Sequence, residues 1–174
     1  MRIILQLIGL IILIPTVALS SLRYQYSDAD GPSILFPGGE LTSGPIYNGP
    51  EPDWSFTADI QTIELQLNES MSSRRVWAVP VNGRLYVVSG YMGSILGRIW
   101  KHWAVEAGDG DGAAVVRING IRYPRRLVRI FQEGELDGVA SVLSNKYDTP
   151  TTRQGIESGN TWVFQLAPSR GPTQ

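Results

Sequence analysis

Residues 76–90, VWAVPVNGRLYVVSG, decide the architecture. Two apolar runs, 76–81 and 85–89, flank Asn82-Gly83, the dipeptide that most favours a two-residue hairpin because both central positions of that turn need positive φ. Residues 113–130, AAVVRINGIRYPRRLVRI, repeat the device around Asn119-Gly120. Ile63, Leu65 and Leu67 alternate with Thr62, Glu64 and Gln66, and Trp162, Phe164 and Leu166 alternate again near the far end, each the pattern of a half-buried strand. Along 121–130 the parity slips. Ile121 and Tyr123 are in phase, but Val128 and Ile130 fall on the opposite face. One extra residue near Arg125-Arg126, beside Pro124, restores the phase, so the spacing predicts a bulge there.

Two segments carry helical spacing. Leu136, Val139, Ala140, Leu143 and Tyr147 form one apolar stripe, with acidic residues near its start and Lys146 near its end, as the helix dipole prefers. Ile95, Leu96, Ile99, Trp100 and Trp103 form the other, which gathers Arg98, Lys101 and His102 on the opposite side. Six strands in hairpins with two short helices predict a mostly-β chain, a small antiparallel barrel closed to remove its edges.

The span from Ile3 to Leu22 has no charge and is dominated by Ile and Leu. About twenty apolar residues suffice for a helix to cross the hydrocarbon core. The same stretch reads as a secretory signal, with Arg2 before it, a helix break at Pro15 and Ala18-Leu19-Ser20 as a small-x-small exit. Arg2 and Arg23 flank it evenly, so the positive-inside rule leaves orientation open. The expected organisation is a signal peptide or membrane anchor (1–22), an exposed Gly/Pro-rich lead-in (23–52), a barrel domain (53–168) and a tail (169–174). Export of the barrel is expected either way.

Composition removes much chemistry. The 174 residues hold one domain with a real core. A net charge of -1 argues against nucleic acid, whose binders carry a basic excess. With no cysteine, disulfides, thiolate zinc sites and thiol catalysis are excluded, and a single histidine rules out a multi-histidine metal site. No G-x-S-x-G elbow accompanies His102. Asp109-Gly110-Asp111-Gly112 lacks the ligand series of a calcium loop. His102 can pair with Glu106 one turn later on the helix surface.

The run VWAVPVNGRLYVVSG, a glycine-bearing connection, KHW and AAVVRINGIRYPRRLVRI together resemble the FMN-binding split-barrel superfamily, which includes pyridoxamine 5'-phosphate oxidases and deazaflavin-dependent nitroreductases. FPGGEL, DWSF and NKYD look like an exported branch of that group, and the resemblance covers about 36–147. It implies a split barrel that binds FMN or a deazaflavin in a groove between the two barrels of a homodimer. Arg74 or Arg75 then matches the phosphate-binding arginine, Ser89 the strand-end hydroxyl, Lys101 the lysine after the connection, and Trp77 an apolar wall for the ring. The family spaces hydroxyl and lysine closely, whereas residues 90–100 intervene here. The function so implied is an oxidoreductase acting on an unknown small substrate. A cofactor-free interaction or small-ligand module at the membrane is the alternative. Without a ligand, Arg74 and Arg75 are a solvated loop pair, Lys101 a polar helix face and Ser89 a plain strand end.

Fractionation checks the first of these readings. The full-length chain should partition with membranes or be processed near Ser20, because its apolar span has no polar face; an intact chain wholly in the aqueous fraction would contradict it.

Overall fold

The computed structural model describes residues 2–34, 36–131 and 134–169, and within them every side chain except those of Arg2, Ile3, Leu5 and Trp100. The expected tail lies outside it from residue 170 onward. Six antiparallel strands, β1 (Ile63–Leu67), β2 (Ser72–Val81), β3 (Arg84–Ser89), β4 (Ala113–Ile118), β5 (Ile121–Ile130) and β6 (Trp162–Pro168), close into a barrel in the order β1-β2-β3-β6-β5-β4. Helices α1 (Arg2–Tyr26), α2 (Ile95–Trp100), α3 (His102–Asp109), α4 (Leu136–Tyr147) and α5 (Arg153–Glu157) surround it, with a 3-10 turn at Trp54–Thr57. The mostly-β barrel and its N-terminal apolar helix are as the sequence predicts. The helices are more numerous: the helix expected across 95–103 breaks at Lys101, and α5 carries too few residues to show a period.

Both hairpins form on their Asn-Gly turns, with φ of 50° and 73° at Asn82 and Gly83 and of 50° and 76° at Asn119 and Gly120. Inside the ring, Leu65, Ala78, Val87, Val116 and Phe164 are fully buried and pack with Trp54 and with Trp103, Ala104 and Ala107 of α3. A second core lies outside the wall. There Val79, Tyr86, Ile130 and Val163 meet Leu136, Val139 and Leu143 of α4 and Ile156 of α5.

This outer core explains why the expected bulge is absent. β5 pairs without interruption, Ala113↔Arg126 through Ile118↔Ile121 on one side and Arg125↔Pro168 through Ile130↔Val163 on the other. Tyr123 and Leu127 face the barrel interior, whereas Ile130 faces outward beneath α4. The strand is apolar on both faces at different heights, and a parity shift is the trace of that double burial. Pro124 fits the unbroken strand. The Arg122 N–H points away from β4 to the Pro45 carbonyl at 2.9 Å, and pairing with β6 begins only at Arg125, so the nitrogen of Pro124 faces a place with no ladder partner.

The hydroxyl of Tyr147 fixes α4. β1 begins pairing with β2 at Ile63↔Val76, so the backbone of Ala78 runs past it. Tyr147 Oη accepts the Ala78 N–H at 3.0 Å and lies 2.8 Å from the Gln61 carbonyl, standing in for the missing rung. Lys146 Nζ donates to the carbonyls of Ala78 (2.8 Å) and Thr57 (3.0 Å). At the other end, Glu135 accepts from Arg84 at 3.0 Å and from the Tyr86 hydroxyl, whose pKa burial and the Glu135 hydrogen bond push up to about 12.

The lead-in does not hang free as an exposed segment. Gly38 bridges Ser73, Ile46 bridges Arg122, and Leu41 is buried, its N–H on Gln66 Oε1 at 2.7 Å. Arg117 of β4 clamps it, with Nε on Glu64 at 2.5 Å and Nη1 on Asp30 at 2.7 Å and Ser43 Oγ at 2.8 Å. Gly31, at φ 94°, is required beside this clamp, because a Cβ there would lie 2.3 Å from Arg117 Nη2. Hydrogen bonding from the Ser43 hydroxyl first, then from the Thr42 N–H, Arg117 and the Ser43 N–H, holds the Asp30 carboxyl well below the usual carboxylate range, with burial opposing.

A depressed carboxyl stabilises the fold above its unfolded pKa and loses that contribution as pH falls through the folded value. Asp30→Ala should therefore lower stability by about 1 kcal/mol at pH 7, the upper range for an exposed ion pair. The gap between parent and variant should narrow below about pH 4, where an unfolded aspartate protonates. Thermal melts of both proteins across that range are the measurement, and a gap independent of pH would show that the Asp30 charge is not what holds the lead-in.

Candidate functional site

One mouth of the barrel opens into a cavity of about 480 Å³, within the roughly 300–1,000 Å³ span of small-molecule sites. Its walls come from four places: the lead-in at Ser33 and Phe36, the strand β2 at Arg74, Arg75 and Trp77, the 90–103 connection at Tyr91, Lys101 and Trp103, and the loops flanking α5 at Thr149, Thr151, Asn160 and Thr161. Four of the five residues expected to bind a cofactor, Arg74, Arg75, Trp77 and Lys101, line it together. Ser89 does not. Its hydroxyl is fully buried and lies 3.3 Å from Met92 Sδ, while its neighbours Val88 and Gly90 reach the cavity.

Among the described residues, no aspartate or glutamate lines the cavity and none of its three cations has an ion pair, although Glu64 stands opposite Arg75 across β1 and β2. Arg74 has the inward parity of β2, opposite Leu65. Its Nη2 reaches Ser72 Oγ at 3.3 Å and its Nε is buried with no hydrogen-bond partner among the described residues. Burial pushes its pKa down, the Glu106 charge opposes that, and Arg23 of α1 adds to it. Burial alone pushes Lys101 down, and its ammonium has no hydrogen-bond acceptor among the described residues. A cation taken out of water unpaired is costly, so an anion entering here recovers interactions that the protein itself leaves unmade.

The break at Lys101 puts that residue in place. With φ -107° and ψ 42° it ends α2 and starts α3, its N–H still bonded to the Gly97 carbonyl at 2.8 Å. The two pieces point different ways. Trp103 enters the barrel core, whereas Ile95, Leu96 and Ile99 stand in solvent, contrary to the continuous buried stripe expected for them; the side chain of Trp100 lies outside the described residues. His102 and Glu106, which the sequence allows to pair, form no ion pair, and Glu106 Oε1 is buried with no hydrogen-bond partner among the described residues.

Trp77 keeps 44% of its surface exposed yet is held rigidly, stacked on Tyr147 at 4.4 Å and 7°. The residue that sequence reasoning missed is Tyr91. Its φ is 62°, a left-handed conformation that a bulky residue adopts only when its surroundings impose it. The imposition is visible. Gly97 packs so closely that a Cβ on it would lie 1.8 Å from the Tyr91 carbonyl, and Met92 is tied to Asn160 by a 2.8 Å backbone hydrogen bond. The flanking glycines of Gly90-Tyr91-Met92-Gly93 were the only signal in the sequence. Asn160 and Thr161 had none, since ring closure alone brings β6 beside β3.

No family model and no curated protein matches the sequence.

The strain at Tyr91 can be measured. A left-handed residue with a Cβ costs about 1–2 kcal/mol that glycine avoids, so Tyr91→Gly should melt above Tyr91→Ala by about 1 kcal/mol, the reverse of the ordinary Ala-over-Gly order. Equal melts, or the ordinary order, would mean that the loop relaxes and holds no strain.

Proposed function

We propose that the protein is an exported FMN- or deazaflavin-binding barrel of oxidoreductase type, akin to the FMN-binding split-barrel superfamily, retained at the membrane by α1 or released after its cleavage, and acting as a homodimer on a small substrate. One observation carries this: a cavity with three cations, aromatic walls and, among the described residues, no carboxylate. Charge-assisted donors and apolar faces are what a phosphate-bearing planar ring system needs. Lys101 with Arg74 or Arg75 would hold the phosphate, and Trp77, steadied by Tyr147, would lie against the ring. A bound flavin supplies hydride transfer, which the protein supports by orientation and electrostatics. Ser89 takes no part in this set. That its hydroxyl faces Met92 within the barrel favours the second reading, a cofactor-free barrel that takes another small anion in the same cavity.

Absorption by the purified protein near the flavin band, and titration with FMN and a deazaflavin, separate the two. A charge-assisted bond to phosphate contributes roughly 1.5–3 kcal/mol, about ten- to a hundredfold in affinity. Lys101→Ala should therefore bind FMN at least about tenfold more weakly while melting like the parent, because its ammonium has no hydrogen-bond acceptor among the described residues. Trp103→Ala should lose stability first, by about 3–5 kcal/mol, since its ring fills the barrel mouth. No flavin binding by the parent, or unchanged affinity in the Lys101 variant, would sink the flavin reading.

A further inference from the structure

Outside α1, the five most exposed large apolar residues among those described gather at the cavity, while Ile46, Phe56, Met71, Trp77 and Phe131 are less exposed. Ile34 (84% exposed), Tyr91, Ile95, Leu96 (80% exposed) and Ile99 all belong to the segments that rim the cavity. Exposed apolar residues gathered at one rim, on a chain with a well-filled core, mark an interaction surface. The place where α1 ends says what it meets. Residues Gln6–Tyr26 of α1 are long and apolar enough to cross a membrane, and no part of that span is buried against the barrel. No slack separates its end from the cavity. Tyr26 stacks on Phe36 at 5.7 Å and 7°, the Ala29 N–H bonds back to the Tyr26 carbonyl at 3.2 Å, and Gly39 donates to Ala29 at 2.9 Å. Phe36 is itself a wall of the cavity. A bilayer's polar layers add only about 5–8 Å beyond each face of the hydrocarbon core, so a span ending at Tyr26 holds this rim within reach of the lipid.

We propose that the rim formed by Ile34, Tyr91, Ile95, Leu96 and Ile99 docks into the surface of the same bilayer that α1 crosses, so that the cavity opens toward the lipid. The proposal rests on α1 being retained as an anchor. Tyr24 and Tyr26 at the end of the span are the residue type that settles at a headgroup boundary. Arg23 and Arg98 provide charge that suits anionic headgroups.

The chain has no cysteine, so one introduced thiol is unique. Leu96→Cys places it on the rim. Asp137→Cys is the control, exposed on α4 about 9 Å along the helix from Leu143, which lines the cavity. Each full-length variant is labelled with an environment-sensitive fluorophore and reconstituted into phosphatidylcholine–phosphatidylglycerol vesicles. Flotation and quenching are then measured. The expected result is flotation of both variants, with the label at 96 blue-shifted, quenched by spin-labelled acyl chains and protected from aqueous iodide, and the label at 137 quenched by iodide alone. Flotation with the label at 96 as open to iodide as that at 137 overturns the docking while leaving the anchor intact. Protection from iodide without quenching by lipid overturns it in favour of a second protein copy on the rim. Failure to float overturns the anchor and the docking together.

Discussion

Closure of the six-stranded ring is the constraint on which the rest depends. Each strand has a neighbour on both sides, so no edge is left for another chain to extend, and the inner face is sealed by Trp54 and α3. The outer wall then needs its own cover where Val79, Tyr86 and Val163 point away from the axis, and α4 and α5 provide it. The ladder has a gap where β2 outruns β1, and the Tyr147 hydroxyl fills it. That single phenol sets where α4 ends, and its ring in turn sets the plane of Trp77. The geometry of the cavity wall is thus inherited from the register of the barrel.

The barrel was legible because its signals are local. Two Asn-Gly turns between apolar runs define four of the six strands, and strict alternation marks β1 and β6. What misled was burial on both sides of one strand: Ile130 facing outward under α4 produces the same parity shift as an inserted residue. The stripe Ile95, Leu96, Ile99 misled for the opposite reason. A helical period shows which side chains share a face, but not whether anything covers that face. The Gly/Pro-rich composition of the lead-in gave no hint that Arg117, more than seventy residues away in sequence, would tie Asp30 and Ser43 to the wall.

Legibility of the cavity divides along the same line. Arg74, Arg75, Trp77 and Lys101 were picked out by residue type and by rhythm near a hairpin, and the fold brings them together. Ser89 was picked out by the same rhythm, but alternation carries a strand-end side chain to one face only, and here it points inward. The electrostatic character of the cavity was hidden in a net charge near zero. The acidic residues are engaged elsewhere: Asp30 and Glu64 on Arg117, Glu51 on Arg125, Glu135 on Arg84, Asp137 and Glu157 on Arg153. Arg74, Arg75 and Lys101 have no ion pair among the described residues, so three cations share one cavity in a chain that is near neutral on average.

The position of β6 has a temporal consequence. It is the last strand in chain order, yet it sits between β3 and β5 and brings Asn160 and Thr161 to the cavity. Until it inserts, β1 to β5 form an open sheet whose two exposed edges are β3 and β5, and the cavity lacks a wall. A chain emerging from its amino end therefore presents α1 and the lead-in before the cavity has all its walls. The cavity is complete only once the last strand has closed the ring.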